Sequence, residues 1–319
     1  MAILVEPATL EHDAGVTRLF NELSVAIDPP YWDRAFSPEN PNGDASIPLV
    51  AVDETGSVIG FAAARPIQLH IEGQDVAAQV LHDFVVQPGA GESDISGRLM
   101  QEAMSLVDLT LVAGAGLELA RVLDREHLQR AAMFARWVYD PQTAKPDRRD
   151  AAPPLPLEII SAIPSAPAAF EEELESDRRV FRRRSVERLN WQFFGPAREF
   201  EVFALTEETS FDGYVAIREV DGRAGREMQV VDWACPHALA PRLAKSLARL
   251  SEKRKMPLYI SLVADELDGL LVGAGFVRLR ARWPLFWILR DPRQRAMGTI
   301  LLRSPAWFFS PSDGEIDHW

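Results

Sequence analysis

The chain has 319 residues, 47% hydrophobic and 25% charged, a balance that suits packed cores in water, and its length suggests about two domains. A formal net charge of -13 repels phosphates, which excludes a general nucleic-acid binder or a binder of anionic membranes. One cysteine, Cys235, excludes an intrachain disulfide and any cysteine-only metal site, and it suits a reducing cytoplasm.

At the start, Ile3, Leu4 and Val5 read as a strand; Glu6 and Pro7 cut this run too short for a signal peptide, so a cytoplasmic location is expected. Val16, Leu19, Phe20 and Leu23 recur at helical spacing. After a polar, proline-bearing stretch at 37–46, strands are predicted over 48–52 and 58–64 around the turn Asp53-Glu54-Thr55-Gly56. A further pair, 67–71 and 76–86, is predicted as a hairpin about Glu72-Gly73-Gln74. Pro88 stops the second of these, and a glycine-containing turn leads into a helix marked by Ile95, Leu99, Ala103 and Leu106. A strand at 109–113, a helix near 118–128 and a strand at 133–139 come next. Residues 140–156 hold five prolines and several charges and read as an exposed linker.

Beyond the linker the same order begins again. Predicted are a strand at 157–160, a short helix around 170–174, a basic helix over 178–194, and strands at 200–205, 213–217 and 228–233. Leu239, Leu243, Leu247 and Leu250 then mark a helix, succeeded by a strand at 258–263, a helix at 267–272, and a final long strand after Gly275-Phe276. No apolar run approaches the ~18 residues of a membrane span.

The strand-turn-helix segment 83–99 resembles the acetyl-CoA-binding segment of the GNAT (N-acetyltransferase) superfamily. Val86-Gln87-Pro88 and Leu99 fall at matching positions, while Gly91, Asp94 and Ser96 stand where that family has Arg or Gln, Gly, and Gly or Ala. The resemblance implies an α+β fold, a mixed and mostly antiparallel sheet flanked by helices. With the repeated element order it implies two tandem GNAT-like domains, residues 1–141 and 157–319, joined by a linker at 142–156. Leu271 with Gly275-Phe276 resembles the end of the penultimate helix of many such domains. In the second half, Leu189-Asn190-Trp191-Gln192 and the aromatic, Asp-rich tail 307–317 resemble GNAT-like proteins encoded with bacterial polysaccharide synthesis.

The functional implications of the resemblance centre on the first half. Phe84, Val85 and Val86 with Gly91, Asp94, Ile95, Ser96 and Gly97 are the implied acetyl-CoA-binding residues, and His82 and Asp83 the implied catalytic pair. An amine of a small molecule or amino sugar is the implied acceptor. Asp94 opposes this reading, because a carboxylate ~5 Å from a phosphate charge costs about 3 kcal/mol at an effective dielectric of ~20. Acetyl-CoA is therefore expected to be held weakly or not at all. Alternatively, Ser93 or Asp94 caps its own helix and satisfies the amides that a phosphate would use. The corresponding turn in the second half, 232–241, has no glycine and two prolines, which makes a good helix start and a poor phosphate cradle.

His82 and Asp83 also read as a buried structural pair, and Cys235 with His237 as a buried thiol beside a capping His. The His residues show no metal-ligand spacing. The arginines of 178–188 read as a solvated face pairing with Glu171-Glu172-Glu173, or as an anion site for a sugar nucleotide, with Phe181, Leu189 and Phe193 buried. The tryptophans of the second half read as core, or as an exposed pair stacking on sugars. Two functions are compatible with these residues: an acyl-CoA-dependent N-acyltransferase, or a non-catalytic tandem GNAT-fold binding or scaffold protein. The sequence carries no signal for an oligomeric state.

Overall fold

The computed structural model describes residues 2–23, 46–89, 92–113, 117–144, 153–177, 179–195, 200–207, 210–222, 225–262, 267–290, 295–302 and 307–311. Gly91, Arg178, most of the polar stretch 37–46, residues 145–152 of the proline-rich linker and the tail from 312 lie outside these residues, as do the side chains of Glu92, Ser93 and Asp94.

In chain order the elements are β1 (Leu4–Pro7), α1 (Asp13–Glu22), β2 (Ile47–Val52), β3 (Val58–Ile71), β4 (Gln74–Val86), α2 (Glu92–Ser105), β5 (Leu109–Ala113), α3 (Leu117–Arg125) and β6 (Gln129–Tyr139). Next come β7 (Glu158–Ile159), α4 (Ala168–Ser176), β8 (Phe181–Arg182), α5 (Val186–Phe194), β9 (Phe200–Glu207), β10 (Ser210–Gly222) and β11 (Gly225–Ala234). The last are α6 (Ala240–Arg254), β12 (Leu258–Leu262), α7 (Asp268–Gly273), β13 (Val277–Leu289) and α8 (Arg295–Leu301). The chain divides into two compact units, one of residues 1–69, 75–131 and 284–302, the other of residues 70–74, 132–283 and 303–319.

In the first unit the strands run β1-β2-β3-β4-β5, antiparallel between β1 and β2 and between β2 and β3, and parallel between β4 and β5. Period-2 alternation gives the sheet two apolar faces. Leu49, Ala51, Ala62, Ala64 and Leu81 face Ile95, Leu99 and Ala103 of α2, while Val50, Val52, Phe61 and Ala63 face Val16, Leu19 and Phe20 of α1. Gly60 lets α2 lie close, since a Cβ there would sit 2.9 Å from both Ile95 Cγ2 and Leu99 Cδ1. The sequence pattern predicts a break near Pro66, yet β3 runs unbroken. Its register with β2 ends at Ile47↔Ala64, so the missing N–H of Pro66 falls beyond that ladder. Glu72 and Gly73 make the β3–β4 turn with φ of 46° and 81°, the two positive values of a type I′ hairpin.

In the second unit β6, β12, β11, β10, β9 and β7 neighbour one another in that order, with only β11 and β12 parallel. Trp137, Tyr139, Tyr214, Trp233, Leu243, Leu247, Leu258 and Ile260 lie in its core. Asn190 holds the segment ahead of α4: its Oδ1 accepts from Ile163 N at 2.7 Å and its Nδ2 donates to Ile163 O at 3.1 Å.

Two expectations need correction. A cut within 142–156 assigns 132–141 to the first unit and 284–302 to the second, and the structure does the reverse. The ladders decide this: β6 pairs β12 from Leu258↔Tyr139 to Leu262↔Ala135, while the end of β13 pairs β5 from Leu285↔Ala113 to Leu289↔Leu109. The expected helix over 178–194 is shorter, because Phe181–Arg182 is a strand and α5 starts only after Ser185, whose side chain accepts from Arg188 N at 3.2 Å. Phe181, Leu189 and Phe193 are buried as expected, but so are Arg182, Arg184 and Arg188, which the expected solvated face places outside.

The close approach at Gly60 yields a first expectation. Gly60→Ala forces α2 off the sheet and lowers stability by about 1–3 kcal/mol. Urea unfolding measures this, and an unchanged midpoint contradicts the packing described.

Candidate active site

In a regular strand neighbouring side chains point to opposite faces. β4 departs from this at Asp83, whose φ of 51° places it in the left-handed region, one that Asp tolerates better than most residues. The alternation changes phase there. Leu81, Phe84 and Val86 all pack on the α2 face and Val85 on the α1 face, whereas strict alternation puts Leu81 and Phe84 on opposite sides. The distortion brings the side chains of two successive residues together, with His82 Nδ1 2.6 Å from Asp83 Oδ2.

On its other nitrogen His82 meets a residue from far away in sequence: Nε2 lies 2.9 Å from Ser46 Oγ, at the entry to β2. Arg65 of β3 donates from Nε to the same Ser46 oxygen at 3.0 Å. Period 2 puts Ser46 on the face of Val50, and Arg65 on the face of Phe61 and Ala63, so both reach the α1 side of the sheet. Ser46, Arg65 and His82 are buried, and the Asp83 side chain is 19% exposed. The donor inventory fixes the order of protons in the neutral ring. An ionised carboxylate only accepts and a guanidinium only donates, so Nδ1 carries the imidazole proton and Nε2 accepts from the Ser46 hydroxyl.

The same distortion coincides with a fork in the sheet. Among the described residues the parallel register of β4 and β5 runs only from Gln79↔Thr110 to Leu81↔Val112, while β4 continues to Val86. Gln79 anchors the base of the fork by donating to Thr110 Oγ1 at 2.8 Å. Above it, β4 stays with β3 as far as Gln87 N, which donates to Ile59 O at 2.9 Å, while β5 has only Ala113 left, paired with Leu285 of β13. Phe84, Val85, Val86 and Gln87 are half-buried along this stretch. Gly89, at φ 81°, has open space where a Cβ would stand.

Of the residues implied by resemblance, His82, Asp83, Phe84, Val85 and Val86 share β4, and Ile95, Ser96 and Gly97 lie early in α2. Ile95 and Ser96 are buried, so they offer backbone rather than side chains. At Gly97 a Cβ would stand 3.2 Å from Glu126 Oε1, so that side chain covers the position closely. Asp94 lies in the first turn of α2. Ser46 and Arg65 are the residues that sequence reasoning misses, since no spacing links them to His82. Among the described residues no group of His, Cys, Asp and Glu is arranged to hold a metal ion.

The second unit repeats the strand-turn-helix-strand order with different occupants. The parallel register of β11 and β12 ends at Val230↔Ile260, and Pro241 opens α6. At this helix start Glu173 of α4 accepts from His237 N at 2.7 Å, so a carboxylate of the chain itself sits on an amide that an anion would use. Trp233 is buried beyond the ladder, and the cavity beside it holds only about 150 Å³ between Phe170, Leu174, Cys235, Leu267 and Phe308. Burial first, then Glu173 and Asp212, pushes the Cys235 thiol well above its ordinary pKa, which leaves it a poor nucleophile. Tyr139, the other titratable group of interest, donates to Glu252 Oε1 at 2.6 Å; burial and that carboxylate hold its proton in place.

One buried arginine of this unit meets a buried carboxylate. Arg184 Nη2 lies 3.2 Å from Asp232 Oδ1, with both side chains inaccessible, and the rings of Phe170 and Phe308 flank the guanidinium at 5.6 and 5.5 Å. Asp232 also accepts from Tyr214 OH at 2.6 Å and Trp233 N at 2.8 Å. Glu171 accepts from Arg184 N at 2.6 Å and from Arg183 Nη1 at 3.2 Å, as the acidic run leads one to expect.

No protein-family model matches the sequence, and no curated protein matches it. Solved structures do match. A GCN5-related N-acetyltransferase from Anabaena variabilis superposes with a TM-score of 0.67 at 13% identity, over 91% of this chain and 73% of that one. One from Kribbella flavida gives 0.60 at 13% identity over 91% and 72%. Saccharomyces cerevisiae N-myristoyltransferase with bound myristoyl-CoA gives 0.61 at 10% identity over 90% and 79%. The fold is therefore the α+β mixed sheet with flanking helices of these acyltransferases, as the sequence leads one to expect.

The buried pair yields a second expectation. Burial raises the Asp232 pKa, but Arg184 first, then the Tyr214 and Ser310 hydrogen bonds and Arg188, more than reverse it, so the carboxyl lies below its ordinary value. Such a group stabilises the fold above the ordinary carboxylate pKa and loses that contribution as pH falls through its depressed value. Asp232→Asn leaves Arg184 buried without its counter-charge and costs about 3–5 kcal/mol at pH 7. Urea midpoints of wild type and variant converge as the pH drops below about 4; a gap unchanged by acid contradicts the ionised pair.

Proposed function

We propose that the protein is an acyl-CoA-dependent N-acyltransferase, a tandem GNAT protein whose first unit does the chemistry. The observation that carries this reading is the distortion of β4 at Asp83, which joins a His–Asp pair to the mouth of a strand fork. The likeness to acyltransferases, one of them with bound myristoyl-CoA, supports it. The backbone of Phe84, Val85 and Val86 beyond the ladder would hold the pantetheine arm, and Gly89 and Gly91 with the first turn of α2, through Ile95, Ser96 and Gly97, the diphosphate. When bound, the thioester supplies an activated acyl group. His82 Nε2 is the proton acceptor for the attacking amine, reached through the Ser46 hydroxyl, and Asp83 holds Nδ1–H and favours the imidazolium that forms.

The acceptor in this reading is a small amine or amino sugar in the cytoplasm, and membranes and nucleic acids are not partners. Among the described residues no helix is long and apolar enough to cross a membrane. The second unit is a non-catalytic partner domain, a role supported by Glu173 on the His237 amide and Trp233 beyond the ladder. The motif around Asn190 adds a link to polysaccharide assembly as the setting.

Calorimetric titration with acetyl-CoA tests the cofactor reading. Wild type binds in the high micromolar range or more weakly, because Asp94 lies in the first turn of α2. Asp94→Gly tightens binding by about tenfold to a hundredfold, equivalent to about 1.4–3 kcal/mol. His82→Gln leaves binding unchanged and lowers turnover by about 10²- to 10⁴-fold. Binding by neither wild type nor Asp94→Gly favours the non-catalytic scaffold instead.

A further inference from the structure

We propose that Ser46 is itself a nucleophile, so that the first unit carries an activated-serine site able to take an acyl group from an ester or thioester. Three residues form the required chain. Asp83 Oδ2 lies 2.6 Å from His82 Nδ1, and His82 Nε2 lies 2.9 Å from Ser46 Oγ. This is the nucleophile–base–orienting acid order in which serine hydroxyls become reactive, recognised by geometry and role rather than by sequence position. Arg65 adds a fourth element. Its Nε–H donates to Ser46 Oγ at 3.0 Å and fills one lone pair, which leaves the hydroxyl proton directed at Nε2. The positive charge beside Oγ also favours loss of the hydroxyl proton to Nε2.

The step balances without any further reagent. Ser46 Oγ attacks the acyl carbonyl carbon as its proton passes to His82 Nε2. The carbonyl re-forms, the bond to the leaving alcohol or thiol breaks, and that group takes the proton from Nε2. An amine or water then attacks the Ser46 ester, giving its proton to Nε2, and Oγ recovers it on departure. The product is an amide or a free acid, with the serine restored.

This proposal shares the His82–Asp83 pair with the acyltransferase reading but needs no bound cofactor, and its test uses none. The full-length protein is treated with a small alkyl fluorophosphonate, digested and mapped by mass spectrometry. An O–P bond forms at Ser46, the P–F bond breaks, and the hydroxyl proton leaves through His82. We expect one adduct, on Ser46, absent in Ser46→Ala and formed at least about 10²-fold more slowly in His82→Ala and Asp83→Asn. Mapping the wild-type adduct stands even where a variant folds poorly. No adduct, an adduct only elsewhere, or an equal rate in a folded His82→Ala protein overturns the proposal. Acetyl-CoA binding together with a failed adduct leaves the acyltransferase reading in place with direct attack by the amine; an adduct without acetyl-CoA binding separates them the other way.

Discussion

The left-handed backbone of Asp83 is the constraint on which the first unit's site depends. A strand that alternates without interruption sends successive side chains to opposite faces, so His82 and Asp83 could not share a hydrogen bond. One residue with positive φ removes that prohibition and shifts the phase of the rest of the strand, so that Phe84 and Val86 return to the α2 core. A β-bulge is costly where it leaves backbone unpaired, and such features gather at sites with a task. Here the distortion lies just past the last parallel pair of β4 and β5, which puts the His–Asp pair where the two strands stop pairing.

The second unit shows what the same order of elements becomes without that constraint. Among the described residues of β11 none has positive φ except Gly225 at its start. Trp233 is buried beyond the ladder, and Glu173 accepts from the His237 amide in the turn ahead of α6. In its core Arg184 and Tyr214 both meet the Asp232 carboxylate, with aromatic rings flanking the guanidinium. A buried ion pair of this kind fixes which elements meet while adding little net stability, because desolvation offsets most of the attraction. The two units thus carry their buried charges to different ends.

Much of this was legible in the sequence, and the rest was hidden for physical reasons. Helices α1, α2 and α6 are expected from apolar spacing, and the β3–β4 turn from Glu72-Gly73. The assignment of β6 and β13 to units was not, because strand pairing is a long-range choice that no local propensity records. The arginines near 182–188 read as a solvated face because charge is normally outside; inside the unit Arg184 meets the Asp232 carboxylate, and the carbonyls of Arg182 and Arg183 accept from Arg184 and Arg188. His82 and Asp83 were visible as neighbours, but the sequence alone could not say that they touch. Ser46 and Arg65 were invisible, since they join the site only through the registry of β2 and β3 on β4's neighbouring face.

The most direct test is the protonation pattern of the His82 ring, read by long-range nitrogen–proton NMR of the imidazole in the free protein at neutral pH. With Asp83 holding Nδ1–H and Ser46 donating to Nε2, the ring is the Nδ1–H tautomer, with a strongly deshielded Nδ1 proton that exchanges slowly with water. Asp83→Asn weakens that preference. A ring in the Nε2–H tautomer, or one averaging both tautomers with no slowly exchanging proton, contradicts the joined Ser46–His82–Asp83 site.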